Sequence, residues 1–273
     1  MKKDKEKKTK RKLKLRFKII LFILFILVYS FFIGTKGLFV RDFNLASKKI
    51  DDDINGLKIV HFSDIHYNKF TNYNTLLKLT KKINKLKPDV IIFTGDLISK
   101  NYKTSNKQID KIKKQLNNLK SELGKYYVLG DDDNNTTKEI LNESGFENIN
   151  ENVQIIYQSN KTPILLIGHK KAKEMFKENT YDNYYKMLVL HNPNSINEVK
   201  DVIFDVAICG HTTNGQINIP KIKNLFIDGK YYKPYQKVNN TKLYINNGIG
   251  NNKVNLRLFN HPSISLYRLK KIN

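Results

Sequence analysis

From residue 57 onward, short apolar runs alternate with amphipathic stretches, and that alternation restricts the chain to a layered α/β fold. Residues 57–62 (LKIVHF) read as a buried strand that ends in Ser63-Asp64. Leu76, Leu79, Ile83 and Leu86 then recur at spacings of 3, 4 and 3, the stripe of one helix face. Pro88 stops that helix, and residues 90–93 (VIIF) form the next strand. A second stripe, Ile109, Ile112, Leu116, Leu119 and Leu123, predicts a helix with Gly124 as its C-cap, followed by a strand over 125–129. Alternating strands and helices form βαβ units around a largely parallel sheet. After residue 150 the strands crowd together, at 153–157, 164–167, 186–190, 202–209, 242–246 and 263–270, and a Ser159-Asn160-Lys161 turn marks a hairpin. No internal repeat or linker interrupts this region, which reads as one domain.

The chain begins very differently. Residues 1–18 hold eleven Lys/Arg and two acids, a net charge of +9 within a total of +24 over 273 residues. Such an arm is either a nucleic-acid tail or the flank of a membrane anchor. Residues 19–35 (IILFILFILVYSFFIGT) decide between them, because they carry no charge. At about 1.5 Å per residue they span roughly 25 Å, the lower end of what crosses a bilayer core. The end of this run offers no small-residue cleavage site, so an uncleaved signal anchor is expected rather than a cleaved signal. The lysine excess stays on the cytoplasmic side and puts the rest of the chain outside. The plan is a basic cytoplasmic arm at 1–18, an anchor at 19–35, a connecting segment at 36–55 and one domain at 56–273. The expected partner is the lipid bilayer. No aromatic-plus-basic motif predicts specific nucleic-acid binding, and no obligate protein partner is inferred. The single cysteine, Cys209, excludes an internal disulfide and a cysteine-rich zinc site.

Chemistry gathers where the strands end, as it does in open α/β sheets. Five strand ends carry polar clusters: Asp64-x-His66, Gly95-Asp96, Gly130-Asp131-Asp132-Asp133, His191-Asn192 and Gly210-His211. An isolated Asp after a strand is usually a turn former or helix cap. Five clusters in order, each after an apolar strand, instead predict a shared site for divalent cations, built from carboxylates and imidazoles. His61, His169 and His261 read as structural, with a minor site role kept open for His169. Cys209 reads as a small core residue.

The ordered segments NGLKIVHFSDIH, TGDL, VLGDDDN, LVLHNPN and CGHTTNGQ resemble the calcineurin-like metallophosphoesterases. The likeness covers about residues 40–270, and it is strongest to the bacterial branch whose phosphoesterase domain follows a transmembrane segment. The closing segment YINNGIGNNKVNLRLFNHPSISLYRL resembles that branch's C-terminal strand pair. The resemblance implies a four-layer αββα sandwich of two mixed sheets flanked by helices. It also implies two divalent metal ions (manganese, iron, zinc or similar) at one edge, and a metal-held water that attacks a phosphoester. By the same resemblance, Asp64, His66 and Asp96 hold the first metal, with Asp96 bridging, and Asp131, His191 and His211 hold the second.

Two positions depart from the family pattern. The usual G-N-H-D is G-D-D-D, so Asp131 replaces an asparagine ligand and Asp132 replaces the catalytic-type histidine. The usual G-H-T-H-G-G-Q is G-H-T-T-N-G-Q, so Thr213 replaces a first-metal histidine, with Thr213, Asn214 or water left to fill the gap. Three adjacent acids push at least one carboxyl pKa upward, and a protonated Asp132 can donate. Three readings stay open: a membrane-anchored hydrolase of a lipid or cell-envelope phosphodiester, a degenerate relative that binds metal or phosphate with little turnover, and a basic surface-binding module in which the site is vestigial.

Overall fold

A computed structural model describes residues 2–156, 163–175, 181, 183–199, 201–219, 227, 229–251 and 254–272. Helix α1, Lys2–Val28, continues through a π-helical turn, Tyr29–Ile33. The basic arm and the anchor are thus one continuous helix, divided chemically by the change in charge and not by a break in the backbone. Over Lys12–Ile33 its large apolar side chains have almost no protein neighbours. Twenty-two residues reach about 33 Å, enough for a bilayer core of roughly 30 Å. The helix fits a transmembrane segment. Its last turn docks on the domain: Arg257 N donates to Ser30 O at 3.0 Å. Gly34 lies so close that a Cβ there would stand 1.9 Å from Arg257 O, so the approach admits only glycine.

Residues 36–55, expected to connect, contain a strand. β1, Phe39–Ser47, pairs in parallel with β12, Ser263–Lys271, along all nine residues. Polar Arg41, Asp42 and Asn44 obscure its alternation, yet Phe43 packs against Tyr244 and Tyr267 at ring separations of 5.0 and 5.6 Å.

The first sheet then gains β2 (Lys58–Phe62), β3 (Val90–Phe93), β4 (Lys125–Tyr127) and β5 (Glu147–Asn148), in spatial order β1-β12-β2-β3-β4-β5. The second sheet comprises β6 (Val153–Ile156), β7 (Ile164–Gly168), β8 (Tyr185–Val189), β9 (Val206–Cys209), β10 (Tyr235–Val238) and β11 (Thr241–Ile245), in order β10-β11-β9-β8-β7-β6. Both sheets are mixed. The flanks β6 and β7 pair antiparallel, while the Ser159-Asn160-Lys161 turn itself lies outside the described residues. β11 and β12, read from sequence as a strand pair, belong to different sheets, and the segment between them crosses from one layer to the other.

Strand periodicity builds the layers. Ile59, Ile92, Ile164, Leu166, Met187 and Ile208 meet between the sheets. Their neighbours Val60 and Ile91 face helices α2 (Tyr73–Leu86), α3 (Asn106–Asn117) and α4 (Asn135–Glu143). Leu165, Leu188 and Ala207 face outward on the second sheet, where Ile196 and Val199 of the 3-10 turn Pro193–Val199 cover them, as does Ala172 of α5 (His169–Met175). Helix α3 stops at Asn117, short of the predicted Gly124, and Asn118 caps it with its backbone N–H on Lys114 O. Leu119 still packs inward from the following loop.

Candidate metal centre

Asp64, Asp96 and residues 128–133 leave β2, β3 and β4, while His191 and His211 leave β8 and β9. The carboxyl ends of parallel strands in both sheets therefore converge at one edge. Asp64, His66, Asp96 and His211 all hold left-handed backbone, with φ of 50°, 43°, 62° and 60°. Such conformations cost roughly 1–3 kcal/mol each and persist only where surrounding bonds fix them. Asp64 N donates to Gly95 O and His66 N donates to Asp96 O, both at 2.9 Å. Gly130 lets the loops close, since a Cβ there would stand 2.3 Å from Asp96 Oδ1.

Two groups of potential ligands result, Asp64/His66/Asp96 and Asp96/His191/His211, each with its donor atoms within 4.8 Å of one another. Asp96 belongs to both: its Oδ2 lies 3.5 Å from His66 Nε2 and 3.4 Å from His191 Nε2. His191 Nδ1 donates to Thr94 O at 2.6 Å, which leaves Nε2 facing the cluster as a potential ligand. His211 Nδ1 lies 3.2 Å from His191 Nε2 and 3.1 Å from Asp131 Oδ2. The donor set, oxygen and imidazole around a shared carboxylate, fits divalent cations.

The three consecutive acids part ways. Asp131 is exposed beside His211. Asp132 lines the cleft with its carboxylate 3.4 Å from His66 Nδ1. Asp133 is half-buried and accepts from Gly130 N, Asp96 N and Leu97 N at 2.8, 2.8 and 2.9 Å. Burial raises the Asp133 pKa, partly offset by those backbone donors, so an upward push falls on this member of the run. The sequence reading missed Asp133 as the residue that holds the Asp96 turn. The signal was the run itself, read only as an acidic cluster.

It also missed Arg257. This fully buried guanidinium donates to Asn251 Oδ1, Asn247 O and Gly250 O at 2.8, 2.9 and 2.7 Å, bracing the loop behind Asp64. Thr213 lines the cleft and Asn214 is buried, and both hold left-handed backbone with φ of 46° and 58°. Thr213 Cγ2 would stand 2.8 Å from a Cβ at Gly248. His61 is a core residue between Tyr267 and Thr94. His169 borders a neighbouring 160 Å³ cavity that Asp131 and His191 also line.

Burial lowers the His191 pKa, but Asp96 and Asp64 outweigh it and raise it to about 10. Burial raises and the imidazoles lower the Asp96 pKa, which settles at about 2. A folded-state histidine pKa above its ordinary 6.5 contributes stability that is fully present below 6.5 and is lost as pH rises through the folded value. Chelator-treated protein is therefore expected to show a melting temperature that falls between about pH 6.5 and 10. Cation binding competes with protons, so manganese affinity is expected to rise over the same window. Calorimetry of metal-free and manganese-loaded samples checks both signs.

Residues 57–215 match the calcineurin-like phosphoesterase family, and the chain belongs to it. Metallophosphoesterase YkuE of Bacillus subtilis is 26% identical over 84% of this chain and 84% of its own length. The UDP-2,3-diacylglucosamine pyrophosphatase LpxG of Chlamydia muridarum is 26% identical over 79% of this chain and 84% of its own. Phosphodiesterase YaeI of Escherichia coli is 22% identical over 80% and 84%. Membership implies a phosphoester hydrolase that binds divalent metal.

Proposed function

We propose that this protein is a membrane-anchored hydrolase of a phosphodiester in a lipid or cell-envelope component, with its catalytic domain outside the cytoplasm. The observation that carries the reading is Asp96, one carboxylate shared between two ligand groups. In it, Asp64, His66 and Asp96 hold one divalent cation, and Asp96, Asp131, His191 and His211 hold another, of the manganese, iron or zinc type. Bound there, the cations supply Lewis acidity at the phosphoryl oxygens and a water nucleophile at neutral pH. Asp132 orients the His66 imidazole from the cleft wall, in the manner of a carboxylate behind a metal-ligating histidine. Thr213 and Asn214 stand where the missing imidazole would reach. LpxG, by its name, cleaves a diacylated nucleotide sugar, which supports a lipid-bearing substrate.

Manganese-dependent release of p-nitrophenol from bis(p-nitrophenyl) phosphate by the full chain tests the hydrolase. Metal bound without turnover across a phosphodiester panel establishes the second reading, a degenerate relative, which the loss of one imidazole at Thr213 favours. Topology has its own test, since the basic residues before the span place the N-terminus in the cytoplasm. Protease added to intact cells is expected to cleave beyond residue 36. Full protection, with a control outer protein digested, refutes the outward orientation.

A further inference from the structure

A 530 Å³ groove runs between the end of the membrane helix and the metal cleft. At one end it is lined by Phe32, in the last turn of the apolar span, and by Phe70, which are 63% and 53% exposed. Exposed Lys36, Lys69 and Lys78 line it as well, and Lys69 Nζ lies 4.9 Å from the centre of the Phe70 ring. At the other end it reaches Gly250, which also lines the metal cleft and whose N donates to Asp64 O at 2.8 Å. Around the point where the helix leaves the domain, Phe39 and Phe259 are exposed too, with Phe259 6.0 Å from Tyr29.

Aromatic side chains exposed beside lysines at the end of an apolar span are suited to the boundary between acyl chains and headgroups. From this continuity we infer that the groove takes a phosphate-bearing membrane lipid directly from the bilayer. Its acyl part lies against Phe32 and Phe70, its anionic head passes the three lysines, and its phosphoester reaches the metal cleft past Gly250. The inference rests on the hydrolase reading for the fate of the ester, and on the groove alone for the contact with lipid.

The chain has no tryptophan, so a single introduced one reports its own surroundings. Full-length Phe70→Trp in phosphatidylcholine/phosphatidylglycerol vesicles is expected to be quenched by brominated acyl chains. Ile203→Trp, exposed just before β9 on the opposite edge of the sheet from the site, is expected to be spared. Equal quenching at both positions, or none at Phe70→Trp, overturns the inference. A second arm compares phosphatidyl-p-nitrophenol held in the vesicles with soluble bis(p-nitrophenyl) phosphate. Lys69→Glu with Lys78→Glu is expected to lower the ratio of vesicle-held to soluble rates by at least about tenfold, because two cations near an anionic surface are reversed. An unchanged ratio counts against lipid delivery through the groove. A parent chain that hydrolyses neither probe refutes the hydrolase reading, and the quenching contrast alone then decides the fate of the groove.

Discussion

Asp96→Asn is expected to lower phosphodiester turnover by about 10³-fold or more, the equivalent of several kcal/mol of lost charge stabilisation at the phosphoryl group. One carboxylate oxygen faces both His66 and His191, so a neutral amide weakens both ligand groups together. Metal content should fall in step with rate. The fold should survive, because the Asp96 turn is held by Asp133 through backbone donors. Retention of the full metal complement with turnover within about tenfold of the parent would overturn the shared role of Asp96.

The second large effect concerns the two departures from the family pattern. Asp132→Asn is expected to weaken one cation site by about 10–100-fold, the usual worth of a carboxylate behind a metal-ligating histidine. Thr213→His is expected to tighten the same site, because a neutral imidazole is a better transition-metal ligand than a hydroxyl. Installed together, the changes should largely cancel in the affinity of that one cation, and any departure from the sum of the two single effects measures their coupling. Asn214→Gly is included in a third variant to make room for the larger ring. Titration with manganese under equilibrium dialysis reads each affinity without reference to turnover. If Asp132→Asn leaves both affinities unchanged, Asp132 has no part in orienting His66. Should the parent bind metal yet lack activity, Thr213→His with Asp132→His is the repair to try, with a gain of about 10²–10⁴ expected from a positioned proton donor.

The strand-end clusters were legible because each follows a run of residues whose apolar character alone demands burial. Asp64, Asp96 and His191 needed no more than this, since a chain leaving a parallel strand has one edge at which to emerge. β1 was not legible. Its Arg41 bonds to Asn247 and its Asp42 to Arg268, so the polar residues that broke the alternation were satisfied by partners more than two hundred positions away. Arg257 was hidden for a similar reason. A lone arginine in an Asn-rich stretch reads as surface, and only the carbonyls folded around it justify its burial. The candidate ligands announce themselves locally, whereas the residues that hold them in strained backbone do so only through distant contacts.

The placement of β12 has a consequence for the order in which this protein can mature. Among the described residues, the twelfth strand to be synthesised inserts between the first two, pairing in parallel with β1 and antiparallel with β2. Until it arrives, β1 has no neighbour, and β2, which leads directly to Asp64 and His66, is an open edge. Bringing together segments separated by more than two hundred residues is slow compared with local helix formation. A nascent chain would therefore hold most of the candidate ligands in sequence while lacking the geometry that gathers them. Closing the β2 edge that carries Asp64 and His66 thus waits on β12, so the metal cleft is among the last parts of the domain to take shape.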